Sequence, residues 1–166
     1  CHYTSGANQL VGLTNNLWRG VHTEFAGQSS ALLYLYNNSY KTGCFEFSGG
    51  NSSWKIFDNL FDETPRTADS SSIDSSYNAY VGLGTYDQTP LATDVFSRQF
   101  DSISYSNGAL GRFYLPPGLT IGGSRDADDA GLFHFTTSID QTKEADSIVE
   151  IGFHYVALNS ENQPID

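Results

Sequence analysis

Short runs in which apolar and polar side chains alternate constrain the fold of this chain more than any other feature. An alternation with a period of two puts successive side chains on opposite faces of a strand, whereas a helix needs a period of about 3.6. The pattern therefore predicts half-buried strands. Five such runs are bounded by turn residues: Ser30–Tyr36, Thr42–Ser48, Asn78–Tyr86, Gly131–Ile139 and Ser147–Leu158.

Helical spacing is found in only one segment, Ser53–Glu63, where Trp54, Phe57 and Phe61 recur at helical intervals. This segment predicts either one short helix or a loop with aromatic anchors. The 16 Gly, 10 Tyr and 11 Phe of the sequence favour turns and strands. We therefore expect an all-β protein, built as an antiparallel β-sandwich or jelly roll.

The segment Arg66–Asn78 is small and polar, which indicates a linker or a long surface loop. It divides the chain into a β-rich N-terminal region, residues 1–65, and a second β region, residues 79–166. The sequence ends in a polar, hairpin-like turn, so we expect the second region to be truncated. Since the chain begins at Cys1 and contains no methionine, we expect a processed or partial chain that is extracellular or on a virion surface.

The net charge of −11, from 19 acidic and 8 basic residues, argues against nucleic acid as a partner because like charges repel. No apolar run approaches the ~18 residues of a membrane-spanning helix. The two cysteines, Cys1 and Cys44, leave both a disulfide and two free thiols open, because sequence alone does not establish a bridge.

The stretch SNGALGRFYLPPG, from Ser106 to Gly118, predicts a turn at Asn107-Gly108 and a strand that stops at Pro116-Pro117. Gly111-Arg112-Phe113 before these prolines, followed by Gly131–Phe135, resembles the pattern of C1q/TNF-like jelly rolls. The resemblance covers about Tyr80 to Asp166 and is closest to the variants on virion fibre heads and in secreted trimers. The insertion between residues 118 and 130 departs from the family pattern.

The resemblance implies a jelly roll that assembles with other copies of itself, as a trimer, or with other surface or virion proteins. No functional residue of the family transfers to this sequence, because binding sites in these jelly rolls lie on variable loops. Candidate sites therefore come from the residues alone.

Aromatic side chains in the N-terminal half are candidates for ligand binding, because their faces stack on sugar rings and are favoured at protein interfaces. Packing in the core or against another subunit is the competing explanation. The candidates are Trp18, Tyr34, Tyr36 and Trp54.

The acidic stretch that holds Asp126, Asp128 and Asp129 predicts an irregular Ca²⁺ site, with a solvated acidic loop as the alternative. We expect no other cofactor. His134 and His154 are predicted to point outward from two strands, where they hold a metal ion or are solvated.

The sequence contains no nucleophile elbow, no HExxH motif and no phosphate-binding loop. We therefore assign no catalytic residue and expect no enzyme. The predicted function is a structural and attachment module at a virion or cell surface, which assembles with partners and contacts a receptor. The alternative is a secreted carbohydrate-binding β-sandwich module.

Overall fold

The computed structural model describes residues 2–5, 10–27, 31–48, 52–68, 72–82 and 90–165. The protein is all-β, as predicted, but its sheets are mostly parallel and form a β-solenoid. The prediction of an antiparallel β-sandwich or jelly roll is therefore wrong. Successive segments pair in parallel because the chain coils onto itself instead of folding back in hairpins.

Each coil of the solenoid contributes strands to two parallel sheets. The four-stranded sheet has the order β2 (Leu10–Thr14), β4 (Leu32–Tyr36), β6 (Ser53–Phe57) and β9 (Ser72–Ser76). The seven-stranded sheet has the order β1 (His2–Ser5), β3 (Leu17–Gly27), β5 (Ser39–Ser48), β7 (Leu60–Asp62), β10 (Ala79–Val81) and β11 (Arg98–Phe100), and β8 (Arg66–Ala68) also pairs with β5.

The alternation in these strands sorts side chains between the interior and the outer face. In β4, Leu33 and Leu35 are buried, whereas Tyr34 and Tyr36 are half-buried on the other face. Parallel pairing in register places Leu33 beside Trp54 of β6, so apolar side chains of successive coils stack on one another. This stacking forms the core of the solenoid.

A two-residue corner connects the sheets in each coil. Its first residue has a left-handed backbone conformation, with φ of 55° at Asn15, 52° at Asn37, 60° at Asp58 and 55° at Tyr77. We call these four residues the outer corner row. Asn and Asp tolerate this conformation better than other side chains do, which explains three of the four choices.

The second residue of each corner is an asparagine, and these four residues form the inner corner row: Asn16, Asn38, Asn59 and Asn78. Each of the first three donates its side-chain N–H to the side-chain oxygen of the next, at 3.0, 3.0 and 3.1 Å. Their backbone N–H groups donate to the same oxygens at 3.0, 3.1 and 2.9 Å. The ladder ends where Asn78 donates to Asp94 at 2.9 Å.

An aromatic side chain lies two residues after each of these asparagines: Trp18, Tyr40, Phe61 and Tyr80. Their rings stack through the coils, with centroid separations of 6.4, 5.2 and 5.6 Å and interplanar angles of 8°, 8° and 11°. The Arg66 guanidinium lies 4.3 Å from the centre of the Tyr80 ring and 4.9 Å from that of Phe61. The Tyr80 hydroxyl donates to Asp94, which thus closes both the asparagine ladder and the aromatic stack.

Several predicted elements differ in the structure. The prediction of a short helix or a loop with aromatic anchors at Ser53–Glu63 is wrong, because the segment consists of β6 and β7 joined by the corner at Asp58 and Asn59. The segment Arg66–Asn78, predicted to be a linker or loop, contains β8 and β9. The predicted strand Asn78–Tyr86 contains β10, and its residues from 83 onward lie outside the described residues.

The C-terminal region, residues 106–165, contains short antiparallel pairs and one helix, α1 (Ala127–Ala130). The pairs are β12 (Ser106–Gly108) with β13 (Gly111–Tyr114), β14 (Gly122–Asp126) with β16 (Ile148–Glu150), and β15 (Phe135–Thr136) with β17 (Tyr155–Val156).

The strands predicted in this region are shorter than expected or lie elsewhere. The run Ser147–Leu158 is interrupted at Gly152, where φ is 101°. The run Gly131–Ile139 contains only β15, and the turn predicted at Asn107-Gly108 falls within β12. In the described part of the chain, no helix is long and apolar enough to cross a membrane.

The outer corner row connects the C-terminal region to the solenoid. The Asn15 side chain accepts the backbone N–H of His154 at 2.7 Å and donates to its carbonyl at 3.0 Å. The Asn37 side chain donates to the Glu150 carbonyl at 3.2 Å and accepts from the Arg125 guanidinium at 2.5 Å. Successive coils thus present polar side chains to successive segments of the C-terminal region.

Asp58 makes the most contacts of this row. Its carboxylate accepts the Ser124 backbone N–H at 2.7 Å, the Ser124 hydroxyl at 2.8 Å and the Arg125 Nε at 3.3 Å. Burial raises the pKa of Asp58, and the contacts with Ser124 and Arg125 oppose that rise. Gly123 permits the close approach, since a Cβ there would lie 2.7 Å from the Asp58 Oδ1 and 3.0 Å from the Val149 carbonyl oxygen.

Candidate binding cleft

A cleft of about 350 Å³ opens in the C-terminal region, and it is the candidate functional site. One wall comes from the turn after Leu115, and the opposite wall comes from the segment that follows β15. Its lining side chains are mostly hydroxyls and charged groups: Thr120, Thr136, Thr137, Ser138, Asp140, Thr142, Lys143, Glu144, Ser147 and Glu150.

Backbone hydrogen bonds fix the cleft, one of them between its two walls and two within them. The Leu115 N–H donates to the Thr137 carbonyl at 2.9 Å, and the Glu144 N–H donates to the Phe135 carbonyl at 2.8 Å. The Leu119 N–H closes a turn on the Pro116 carbonyl at 3.0 Å. The two walls are therefore held at a set separation, and the side chains between them are preorganised.

Glu144 is a buried residue of the cleft lining, and each of its carboxylate oxygens lies near a polar group. Oε1 lies 3.4 Å from the Nε2 of His154. Oε2 lies 3.4 Å from the backbone N–H nitrogen of Glu150, which donates to it, and 3.4 Å from the Ser147 hydroxyl. The Glu144 carboxylate thus contacts three residues of the cleft region: Ser147, Glu150 and His154.

Glu150 is half-buried and ends β16, where its carboxylate accepts the backbone N–H of Ile121. Burial raises the pKa of Glu150, and the neighbouring Glu144 carboxylate raises it further. The Ile121 N–H and the nearby His154 act in the opposite direction. The Ile121 N–H donates to only one of the two Glu150 carboxylate oxygens, Oε2.

His154 does not point outward as predicted, since it is buried with 1% of its surface exposed. Neither of its ring nitrogens has a hydrogen-bond partner in the described part of the chain, although its Nε2 lies 3.4 Å from the Glu144 Oε1. His134, by contrast, is exposed. The structure therefore does not place the two imidazoles on one solvated face, which a shared metal site on two strands would need.

The cleft can hold a ligand that carries several hydroxyl groups. Carboxylates accept from hydroxyl hydrogens, threonine and serine hydroxyls both donate and accept, and Lys143 donates. Leu115, Pro116 and Leu119 supply an apolar surface on one side. In the described part of the chain no aromatic ring lines the cleft, so recognition there depends on hydrogen bonds and aliphatic contact.

The four aromatic residues predicted to bind a ligand do not share one surface. Trp54 is fully buried and packs edge-on against Phe25 and Phe47, with centroids 5.7 and 4.9 Å away. Trp18 packs against the core in the aromatic stack. Tyr34 and Tyr36 lie side by side on the outer face of β4 with centroids 5.7 Å apart, and Arg125 covers the Tyr36 ring at 4.5 Å.

The three aspartates predicted to bind Ca²⁺ lie at the end of β14 and in α1, where Asp126, Asp128 and Asp129 line a surface depression together with Asp146. The Ca²⁺ site stays a prediction. Cys44 is a half-buried free thiol. The other member of the predicted cysteine pair, Cys1, lies outside the described residues.

The sequence did not identify Glu144 and Glu150 as neighbours. They come together because the turn at Ala145 and Asp146 reverses the chain before β16, so the Glu150 N–H reaches the Glu144 side chain. The alternation of side chains in the run Ile148–Ile151 indicates a strand, but it does not indicate which strand pairs with it. The only available signal was a pair of glutamates that flank a turn.

Comparisons of the chain with family models, with curated proteins and with solved structures returned no match. The class of protein is therefore defined by its own structure. It is a parallel β-solenoid whose corners hold a C-terminal region with a cleft.

Proposed function

We propose that the protein is a non-enzymatic attachment module, in which the β-solenoid carries a cleft that binds a neutral glycan on a receptor. The observation that carries this proposal is the cleft itself, where hydroxyl side chains surround the Glu144 and Glu150 carboxylates. A polyhydroxylated ligand matches such a lining, because each sugar hydroxyl both donates and accepts hydrogen bonds.

The negative charge of the protein indicates which class of glycan the cleft binds. The chain has a net charge of −11, and carboxylates line the cleft. An acidic sugar would meet repulsion from both, whereas a neutral sugar would not. We therefore expect neutral oligosaccharides to bind more tightly than their sialylated or sulfated counterparts.

A pair of carboxylates is also what glycoside hydrolysis requires. One argument favours binding over hydrolysis at this cleft. The Glu144 Oε2 accepts from the Ser147 hydroxyl and the Glu150 N–H, and Oε1 lies 3.4 Å from the Nε2 of the buried His154. A nucleophile or general acid needs a carboxylate oxygen directed at the substrate, and Glu144 directs its oxygens at the protein.

Attachment at a cell or virion surface, outside the cell, is the setting that this proposal assigns to the module. In this setting the module assembles with other copies of itself, as a trimer, or with other surface proteins. Sedimentation velocity of the purified chain tests the assembly: a trimer supports it, and a monomer over the whole concentration range removes it while leaving the glycan site untouched.

Glycan binding is tested by titration calorimetry with neutral oligosaccharides chosen from a glycan array. Glu150→Gln is expected to weaken binding by about ten-fold, because a hydrogen bond to a charged acceptor contributes about 1.5 kcal/mol or more. Glu161→Gln removes the same charge from an exposed position outside the cleft, so this control is expected to bind like the unmodified chain.

Three outcomes contradict the proposal. If no glycan on the array binds, or if the Glu150 and Glu161 variants bind equally, the cleft is not a glycan site. The recovered oligosaccharide is also sized by mass spectrometry. Intact ligand supports a binding module, whereas shortened products would show that the protein is an enzyme.

A further inference from the structure

Three side chains of different chemistry meet on the outer face of the seven-stranded sheet, away from the cleft. His22 belongs to β3, and Cys44 and Glu46 belong to β5. One ligand atom from each lies within 4.8 Å of the other two, and the His22 Nε2 lies 3.5 Å from the Glu46 Oε1. In the described part of the chain, no other group of three His, Cys, Asp or Glu side chains comes this close.

The register of the sheet explains why they meet. His22 pairs directly with Cys44 across the parallel ladder between β3 and β5. Glu46 follows Cys44 by two residues and so emerges on the same face. The side chains between them, Thr23 and Phe45, are buried in the interior. A regular pair of strands therefore holds the three groups together, without a flexible loop.

The ligand atoms match the preference of Zn²⁺. Zinc takes imidazole nitrogen, thiolate sulfur and carboxylate oxygen, whereas Ca²⁺ and Mg²⁺ avoid sulfur. Bond lengths of about 2.0 to 2.3 Å in a tetrahedral site put ligand atoms roughly 3.5 Å apart. The His22–Glu46 separation of 3.5 Å already meets this value, and rotation of the Cys44 side chain can bring the sulfur into place.

Electrostatics on this face also favours a cation. Glu24 and Glu46 are register partners on the two strands, so two carboxylates emerge side by side. A divalent cation held beside them is attracted by both carboxylates. It would also connect two coils of the solenoid from the outside.

We propose that His22, Cys44 and Glu46 bind one Zn²⁺ ion, with water as the fourth ligand. Because a bound ion stabilises the folded chain by mass action, zinc raises the melting temperature of the solenoid. Ligation commits Cys44 as a thiolate, so the zinc-bound chain does not carry a disulfide between Cys1 and Cys44.

The test uses the full chain with its thiols reduced and titrated to confirm that they are free. Zn²⁺ binding is measured by calorimetry, and Co²⁺ is used as a spectroscopic probe with excess Ca²⁺ present to occupy acidic surface positions. We expect a stoichiometry of one. We also expect a near-ultraviolet thiolate-to-cobalt charge-transfer band with the visible absorption of tetrahedral Co²⁺.

Three ligand variants and one control variant separate the proposed ligands from their surroundings. Cys44→Ser is expected to abolish the charge-transfer band, and His22→Gln is expected to weaken Zn²⁺ binding on the order of 100-fold, because loss of even an outer-shell partner costs 10- to 100-fold. Glu24→Gln is the matched control for Glu46→Gln, since it removes the same charge from the neighbouring strand of the same face.

The proposal is overturned by any of three results. The reduced chain fails to bind micromolar Zn²⁺; or Co²⁺ binds Cys44→Ser with unchanged spectra; or Glu24→Gln lowers the affinity as much as Glu46→Gln does. The last result would assign the binding to a diffuse acidic surface. All the substituted side chains lie on the outer face, so circular dichroism is expected to show an unchanged fold for each variant.

Discussion

The solenoid and the C-terminal region are both built from strands, yet they are stabilised in opposite ways. In four successive coils of the solenoid an inward asparagine and a stacked aromatic ring recur. In the C-terminal region the antiparallel pairs are short, and none repeats another. Repetition makes a rod whose coils support their neighbours, whereas the irregular region provides the varied side chains that a binding cleft needs.

The corners show how one chain serves both purposes. The inner residue of a corner faces the solenoid and joins the asparagine ladder. The residue before it faces the C-terminal region, as Asp58 does towards Ser124 and Arg125. Substitutions at adjacent positions should therefore have different consequences, and this contrast can be measured.

The largest effect is expected for Asn59→Ala in the middle of the ladder. The Asn59 side chain accepts from the backbone and side chain of Asn38 and donates to the Leu35 and Phe57 carbonyls. Its removal leaves several buried polar groups without partners, at about 1 to 3 kcal/mol each. We expect a loss of about 4 kcal/mol in the free energy of unfolding, measured by urea denaturation.

The control for this prediction is Asn16→Ala at the half-buried end of the same ladder. Here only one neighbouring asparagine is affected and water can replace the missing partner, so the expected loss is about 1 kcal/mol. Equal losses at Asn16 and Asn59 would show that the ladder does not act through burial of its hydrogen bonds.

A somewhat smaller effect, about 3 kcal/mol, is expected for Asp58→Ala, because it leaves the Ser124 and Arg125 donors without their buried acceptor. The loss should fall on the attachment of the C-terminal region and not on the coils. Limited proteolysis is expected to cut within residues 106–165 while the solenoid stays intact. Cleavage at equal rates in both regions would contradict this assignment.

The pH dependence of stability should sharpen the same contrast. Burial raises the pKa of Asp58 above 3.8, so its carboxyl holds its proton more tightly in the folded chain than in the unfolded chain. Folding then takes up a proton between pH 3.8 and the raised pKa, and stability falls as the pH rises through that range.

Asp58→Asn removes this contribution, so the free energy of unfolding should fall less steeply with pH than in the unmodified chain. Burial also raises the pKa of Asp94 and of Glu150, so part of the slope remains. Urea denaturation at a series of pH values measures both slopes. A variant slope that is steeper or unchanged would show that the Asp58 carboxyl is not destabilised by its burial.

The smallest expected effect is a gain in stability, from a substitution at Phe96. Phe96 has a φ of 59°, is 63% exposed and contacts Tyr77 with ring centroids 5.0 Å apart. A left-handed backbone costs about 1 kcal/mol for such a residue and less for asparagine. Phe96→Asn is therefore expected to stabilise the protein by roughly 0.5 kcal/mol, seen as a higher melting temperature.

Phe96→Ala separates the two contributions, since alanine loses the ring contact and keeps the strain. It is expected to be less stable than the asparagine variant. If Phe96→Asn itself is destabilised by about 1 kcal/mol or more, the contact with Tyr77 outweighs the backbone strain.

Some of the fold could be predicted from the sequence, because alternation specifies a strand and its faces. The predicted runs Ser30–Tyr36 and Thr42–Ser48 contain or overlap β4 and β5. Alternation is the same in parallel and antiparallel strands, however, so it gave the all-β class and not the pairing. The same alternation in β6 places Trp54 on the buried face with Ile56.

The signal for the solenoid lies in a repeat with variable spacing. Asn16, Asn38, Asn59 and Asn78 are separated by 22, 21 and 19 residues, and each is followed two positions later by an aromatic residue. Repeats of this length are typical of stacked coils. The cleft has no such signal. Glu144 and Glu150 meet through a turn and through very short strand pairs, and no sequence repeat specifies either of these.

Hydrogen–deuterium exchange of the Asp58→Ala and Asn59→Ala variants tests whether adjacent corner residues stabilise different regions of the protein. Exchange measured by mass spectrometry reports the opening of each segment separately. The account predicts that Asp58→Ala speeds exchange in residues 120–156 and leaves β4, β5 and β6 protected, whereas Asn59→Ala speeds exchange in those strands. The same exchange pattern in both variants would contradict it.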